Sequence, residues 1–263
     1  MKTWENFEEQ CTNFLNKKFG TYAKFVCKGG ADSTVPDILV ETNSGSLFYI
    51  EVKHSPAQCG QFVLLPDLKT KTFEYSSLNG NPINQYSKMI KNYMDNNFSE
   101  FVTAGTTGKS IDMPNGSDIF SNWIIQIYKE KGVRFFITND NIIFPIDRFK
   151  EYFEVTAKYR IKRSGSSNVG KRDMNEVIEY ISTHGYAITS HYIFKNKLFV
   201  VSEQKLHDHR FTVCGREYMF SLRTKEYEIR KLSKTYNANV IFSIRIKSII
   251  KGLSEEEFID YLK

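Results

Sequence analysis

The segment GGADSTVPDILVETNSGSLFYIEVKHSPAQCGQF, Gly29 to Phe62, decides the reading of this chain. Val35–Thr42 and Ser46–Lys53 are rich in β-branched and aromatic residues and flank Asn43-Ser44-Gly45, a good turn sequence, which predicts a hairpin. With its centre at residue 44 or 45, Asp37 lies opposite Glu51 or Lys53. Side chains alternate faces along a strand, so Glu51 and Lys53 share one face and Val52 takes the other. The hairpin therefore gathers two carboxylates and an ammonium group. Both acids are embedded in apolar runs, Ile38-Leu39-Val40 and Leu47-Phe48-Tyr49-Ile50. Burying such charges without a partner is costly. A divalent cation relieves the repulsion between the carboxylates, and hard oxygen ligands without His or Cys point to Mg²⁺, with Mn²⁺ as a substitute. A metal held this way stabilises charge on a phosphodiester and lowers the pKa of an attacking water. Lys53 can orient that water or stabilise the pentacovalent transition state. The reaction implied is phosphodiester hydrolysis.

The acid-x-Lys spacing by itself is weak, since it recurs at Asp67-Leu68-Lys69 and Glu203-Gln204-Lys205. Only the first copy has Pro-Asp upstream at hairpin distance, with a β-rich apolar run leading into Glu-x-Lys. Pro36-Asp37, followed after a 13-residue gap by Glu51-x-Lys53, resembles the motif of the PD-(D/E)xK nuclease superfamily. That resemblance implies an α/β (α+β) architecture, a mixed sheet flanked by helices, over about the first 155 residues. It also implies that Asp37 and Glu51 are metal ligands and Lys53 a catalytic cation. Many members add a Glu from the helix before the sheet, a place that Glu8 fits best and Glu5 next. Gln58 and Gln61, just after the catalytic strand, are candidates for contact with the metal-bound water or the DNA backbone.

The flanking sequence reads as follows. Thr3–Phe19 has helical periodicity, with Trp4, Phe7, Cys11, Phe14 and Leu15 in one stripe and Glu8 at its edge. A strand is expected at Tyr22–Cys27 and a turn at Gly29-Gly30. Pro56–Pro82 reads as loop-rich, Asn84–Asn96 as a helix and Ser99–Ser117 as a polar surface loop. Trp123–Tyr128, Arg134–Thr138 and Ile142–Ile146 read as strands or short helices, and Asp147 as the cap of a helix through Phe153. Asp173 is expected to start a helix stopping at Gly185. Strands follow at Tyr192–Phe194, Leu198–Ser202, Phe211–Val213, Tyr218–Leu222 and Val240–Ile246. Ser254 with Glu257 forms a capping box for a terminal helix.

Several signals are discounted. Thr103 to Ser110 ends like a P-loop but has Thr103 where the motif needs Gly. His207-Asp208-His209 reads as a turn, and His54 faces away from Lys53.

The 263 residues are 41% hydrophobic and 25% charged, too apolar and aromatic for a disordered chain. No run approaches the length of a membrane span. Acids near the start, where a signal peptide needs an apolar run, argue for a cytoplasmic protein. Cys11, Cys27, Cys59 and Cys214 form no CxxC pair and read as reduced thiols.

The net charge of +6 is unevenly placed. Residues 1–57 hold six Lys/Arg against seven Asp/Glu, whereas Lys158–Arg172 holds six basic residues and no acid. From Arg216 to Lys251 there are nine basic residues against three acids. This predicts a nuclease core over 1–157 and a basic, β-rich DNA-binding or specificity region over 158–263. Candidate DNA contacts in or near that region are Arg160, Lys162, Arg163, Ser164, Ser166, Lys171, Arg172, Arg223 and Arg230. The leading expectation is a sequence-specific endonuclease of double-stranded DNA resembling a type II restriction enzyme. A homodimer would supply two active sites, and a cognate DNA methyltransferase would protect the host. Two alternatives remain open: a structure-selective repair or junction nuclease, and a non-catalytic nucleic-acid-binding protein on a degenerate nuclease fold.

Overall fold

The structure is a computed structural model that describes residues 3–28, 35–247 and 251–263, with side chains from Asn6 onward. The expected Gly29-Gly30 turn and the side chains of Trp4 and Glu5 lie outside the described residues. In chain order the elements begin with α1 (Thr3–Phe19), β1 (Ala23–Cys27), β2 (Ile38–Thr42), β3 (Leu47–Val52), β4 (Ala57–Asp67) and β5 (Thr72–Tyr75). Then come α2 (Gln85–Asn96), α3 (Phe98–Phe101), β6 (Lys109–Ser110), α4 (Gly116–Glu130), β7 (Val133–Ile137), β8 (Ile143–Pro145), α5 (Phe149–Tyr152), β9 (Phe153–Arg163) and β10 (Ser166–Asn168). The chain finishes with α6 (Met174–Thr183), β11 (Ile188–Phe194), β12 (Lys197–Ser202), β13 (Arg210–Val213), β14 (Arg216–Arg223), β15 (Glu226–Leu232), β16 (Tyr236–Ile246) and α7 (Glu255–Leu262). This is a mixed α/β protein.

Two compact units divide the chain, residues 1–160 with 238–263, and Ile161–Asn237. The first unit contains a sheet in the order β1-β2-β3-β7-β8. Its β2–β3 hairpin has the register Ile38↔Ile50, Leu39↔Tyr49 and Val40↔Phe48, centred on Ser44. β7 joins β3 in parallel, with Glu51 beside Phe136. Antiparallel neighbours need only a tight turn, but this parallel pairing needs a crossover, which α4 supplies. Phe48, Ile50 and Val52 point from β3 into a core shared with Cys11, Leu15 and Phe19 of α1 and Phe258 and Leu262 of α7. Glu51 and Lys53 consequently emerge on the other face. The capping box of α7 forms as expected, the Ser254 hydroxyl accepting from Glu257 N–H at 3.1 Å and the Glu257 carboxylate from Ser254 N–H at 2.7 Å.

The stretch read as loop from Pro56 to Pro82 contains β4 and β5, which pair with each other from Leu64↔Tyr75 to Asp67↔Thr72. The alternation that would have announced β4 is broken. Buried positions fall at Cys59, Phe62 and Leu64, and the register against β16 shifts between Gln58↔Ser243 and Gln61↔Ile241. This is a bulge, and Gly60 sits in it with φ +97°. β4 and β16 belong to a second sheet, ordered β5-β4-β16-β9-β6.

Within Ser99–Ser117, expected to be surface loop, Phe101, Ala104 and Ile111 are buried. Short elements, α3 and β6, account for this. Trp123–Tyr128 resolves to the C-terminal half of α4, whose Ile119, Trp123, Ile124, Ile127 and Tyr128 are buried at helical spacing. Asp147 does not cap α5; it lies in a short 3₁₀ turn and pairs with Lys129.

The second unit holds the sheet β11-β12-β15-β14-β13, with β10 also paired to β15. α6 covers it through Val177 and Ile181, packed with Leu198, Val200, Phe220 and Ile229. The basic segment Lys158–Arg172 runs as β9 through Arg163 and again as β10. β15 was not anticipated, because its charged residues Glu226, Glu228, Arg230 and Lys231 conceal the pattern. Glu228 is nonetheless buried, as the shared partner of Arg223 and Arg230. Asp173 does precede α6, but its side chain makes no cap hydrogen bond. The carboxylate instead meets Arg216, Lys231 at 3.3 Å and the Tyr218 hydroxyl at 3.3 Å.

The expected regions were 1–157 and 158–263; the division into compact units falls after Arg160, and 238–263 returns to the first unit. That return relocates the charge. The second unit carries fourteen Lys and Arg against eight Asp and Glu, so it holds the whole net charge of +6. The first unit is balanced.

Candidate active site

A cleft of about 640 Å³ in the first unit is lined by Asp37, Glu51, Lys53, Gln58, Gln61 and Tyr128, among others. Its chemistry begins with the hairpin. Extending the β2–β3 register by one pair sets Asp37 opposite Glu51, and the Asp37 Oδ2 accepts a 2.8 Å hydrogen bond from Val52 N–H. Lys53 continues the strand by donating its backbone N–H to Ile137 O at 2.9 Å, and its ammonium donates to Glu51 Oε1. Asp37, Glu51 and Lys53 are thus brought together. The chain just beyond β3 is held by Asn139, whose side chain accepts from Ser55 N–H at 2.8 Å and donates to Ser55 O at 3.1 Å.

Burial, and then the neighbouring charge of Glu51, push the Asp37 carboxyl up from 3.8 to about 7, against the opposing pull of Lys53 and the Val52 N–H. Burial works against the Lys53 ammonium, but the charges of Glu51 and Asp37 outweigh it and hold its pKa above the usual lysine value. Beneath them lies Cys59, fully buried, whose thiol is pushed up to about 12 chiefly by burial. In the metal-free protein it stays protonated at neutral pH.

Glu8 is buried at the margin of the α1 stripe, and its charge adds to the upward push on Asp37. Among the described residues no three His, Cys, Asp or Glu side chains are grouped to hold a metal. The donors that face the cleft are carboxylate oxygens. That set suits a hard divalent ion which keeps part of its water shell, as Mg²⁺ does.

Gln58 and Gln61 both line the cleft. The Gln61 side-chain oxygen accepts from Gln58 at 3.2 Å and from Asn239 at 3.1 Å. His54 turns away and packs edge-on against Phe7, with ring centroids 5.2 Å apart. His207 and Asp208 lie in a turn.

Tyr128 was not found by sequence reasoning. Its hydroxyl donates to Glu51 Oε1 at 3.0 Å, and its pKa is raised well above the usual tyrosine value, first by burial and then by the charges around it. Reading Trp123–Tyr128 as a helix after a polar stretch, with its buried stripe ending in a hydroxyl, is the signal that would have pointed to it.

The candidate DNA contacts are dispersed. Arg163 pairs with Glu217 at 2.6 Å and reaches the Tyr236 hydroxyl at 3.2 Å. Arg223 and Arg230 are engaged by Glu228 at 2.8 and 2.6 Å. Ser166 accepts from Arg230 at 3.1 Å, and Ser164 donates to Asn237 at 3.1 Å. Lys162, Lys171 and Arg172 are exposed and Arg160 is half-buried.

The fold and this cleft define a protein with the restriction-endonuclease-like fold. A solved structure of HhaI endonuclease in complex with DNA matches the chain at 38% sequence identity with a TM-score of 0.71, covering 98% of this chain and 96% of that one. The chain belongs to the family of HhaI endonuclease. No family model matches it, nor does any curated protein. No helix among the described residues is long and apolar enough to cross a membrane.

Proposed function

We propose that this chain is a Mg²⁺-dependent endonuclease that hydrolyses phosphodiester bonds of double-stranded DNA at a specific sequence, in the manner of a type II restriction enzyme. The observation that carries the reading is the convergence of Asp37, Glu51 and Lys53 on one cleft of a chain that is 38% identical to HhaI endonuclease over 98% of its length. That likeness weighs against a degenerate, non-catalytic copy.

Asp37 and Glu51 would hold the ion, with Glu8 adding negative charge to the pair. When bound, Mg²⁺, or Mn²⁺ in its place, supplies Lewis-acid stabilisation of the phosphate and lowers the pKa of the attacking water. Val52 N–H fixes the Asp37 carboxylate. Lys53 holds Glu51 and carries a positive charge that persists at working pH, so it stabilises negative charge growing on the phosphate. Gln58 and Gln61, at the cleft wall, can donate amide hydrogen bonds to the DNA backbone. The basic second unit contributes phosphate contacts through exposed side chains such as Lys162, Lys171 and Arg172.

Each chain supplies one such cleft, whereas a double-strand break needs two cuts. A homodimer delivers both in one binding event, and a single chain working on the strands in turn releases nicked circles first. Time courses on a supercoiled plasmid separate the two. A cytoplasmic setting, with a methyltransferase guarding the host's own sites, completes the proposal.

The test is cleavage of duplex DNA by the purified protein. Discrete fragments are expected with Mg²⁺ and none with EDTA. Asp37→Ala and Lys53→Ala are expected to lose cutting while retaining DNA binding. A fully active Asp37→Ala protein would overturn the site, and nicking that follows DNA structure without discrete fragments would favour a junction nuclease.

A further inference from the structure

The hydrogen bonds around the two carboxylates are distributed unevenly between their oxygens. Glu51 is buried, and its Oε1 accepts twice, from the Lys53 ammonium and from the Tyr128 hydroxyl at 3.0 Å. A carboxylate oxygen offers about two lone-pair sites, so these donors fill Oε1. Asp37 is tied in the same way by one oxygen, its Oδ2 accepting from Val52 N–H at 2.8 Å. Among the described residues, each acid thus has one anchored oxygen and one that accepts no hydrogen bond, Glu51 Oε2 and Asp37 Oδ1.

Tyr128 is well placed to be the anchor on the Glu51 side. It stands near the C-terminal end of α4, the crossover helix that feeds β7. Its ring packs edge-on against Phe136 at 5.3 Å, and Phe136 is the residue of β7 in register with Glu51. Strand register, helix and ring packing all fix where the hydroxyl sits, whereas Lys53 approaches on a long flexible stem. Removing Tyr128 would leave Lys53 alone to fix Glu51 about its last side-chain bond.

We infer that Tyr128 is a positioning residue: it locks the Glu51 carboxylate so that Oε2, paired with Asp37 Oδ1, forms the oxygen set offered to the divalent ion. This rests on the metal-dependent reading above and adds to it the identity of the residue that pre-organises the ligand. Groups that orient a metal ligand commonly change affinity or activity by about 10- to 100-fold when removed.

The experiment is Tyr128→Phe in the full-length protein, which keeps the ring against Phe136 and deletes only the hydroxyl. Mn²⁺ affinity is measured without DNA by calorimetry or electron paramagnetic resonance, and cleavage is measured across a Mg²⁺ titration. Tyr159→Phe is the control. It removes a buried tyrosine hydroxyl bonded to Leu64 O at 2.7 Å, with no contact to Glu51. Tyr128→Phe is expected to weaken Mn²⁺ binding roughly tenfold and to move the Mg²⁺ midpoint for cleavage upward, with activity regained at high Mg²⁺. Tyr159→Phe should match its loss of thermal stability but keep wild-type Mn²⁺ affinity. A folded Tyr128→Phe protein with unchanged Mn²⁺ affinity and Mg²⁺ midpoint would overturn the inference, as would equal weakening in both variants. Should Tyr128→Phe fail to fold, Phe136→Leu loosens the ring with the hydroxyl retained, and unchanged ion affinity there overturns it too. If wild-type protein binds no Mn²⁺ that Asp37→Ala removes, the metal reading itself falls.

Discussion

At Asp37 the fold imposes a cost that the folded chain can lower by taking up a proton. Burial and the Glu51 charge raise its carboxyl from 3.8 to about 7. Between those pH values the metal-free folded state binds a proton that the unfolded chain does not. Stability of the metal-free protein therefore falls as pH rises from about 4 to about 7, and this contribution is constant above that. Asp37→Asn removes the carboxylate, and unfolding midpoints in EDTA at pH 5 and pH 8 should then differ less than in wild type. A Mg²⁺ or Mn²⁺ ion must compete with the same proton. Its affinity is accordingly expected to drop about tenfold per unit as pH is lowered below 7, and a pH-independent affinity measured by calorimetry between pH 5.5 and 7 would contradict this.

Among the elements, β4 shows most clearly what a bulge does to a strand. Gly60 lies in it at φ +97°, and a Cβ added there would stand 2.7 Å from Trp123 Cζ3. Trp123 cannot yield easily, since its indole is fully buried against Phe242 at 4.5 Å and Phe62 at 5.6 Å. Gly60→Ala combines a strained backbone with this clash, and a loss of about 1–3 kcal/mol is expected, read as a lowered denaturation midpoint. At the other end of the chain, Ser254→Ala deletes one half of the α7 capping box and should cost about 1 kcal/mol.

These elements also explain which parts of the fold were legible. The β2–β3 hairpin has two β-rich apolar runs around a strong turn, so its register could be read almost to the residue, and Asp37, Glu51 and Lys53 came with it. β4 lost its alternation at the bulge and was taken for loop. Tyr128 was hidden for a different reason. It reaches Glu51 across 77 residues of sequence, through a helix packed on a sheet, and only tertiary structure states that proximity. The arginines Arg163, Arg223 and Arg230 have partners that the sequence does not show. Sequence shows their charge but not the buried Glu228 or the Glu217 that occupy them.

For the whole molecule, the decisive quantity is where the charge resides. The chain's +6 belongs entirely to Ile161–Asn237, while the unit with the candidate active-site cleft is neutral. A cationic unit attracts duplex of any sequence. Exposed cations without acidic partners should dominate that attraction. Lys171 and Arg172 are exposed, and neither forms an ion pair among the described residues. Each phosphate contact contributes about 0.9 to the slope of log affinity against log salt. Replacing both with Ala should therefore weaken binding to specific and non-specific duplexes alike and make that slope shallower by up to about two. Arg223→Ala should instead act mainly on stability, because it strips a partner from buried Glu228. Anisotropy titrations over a salt series in Ca²⁺, with single-turnover cleavage at saturating protein as the second readout, separate the cases. An unchanged single-turnover rate with a shallower slope assigns Lys171 and Arg172 to holding the duplex. A lost rate at saturation would mean that the charge of the second unit also shapes the catalytic step.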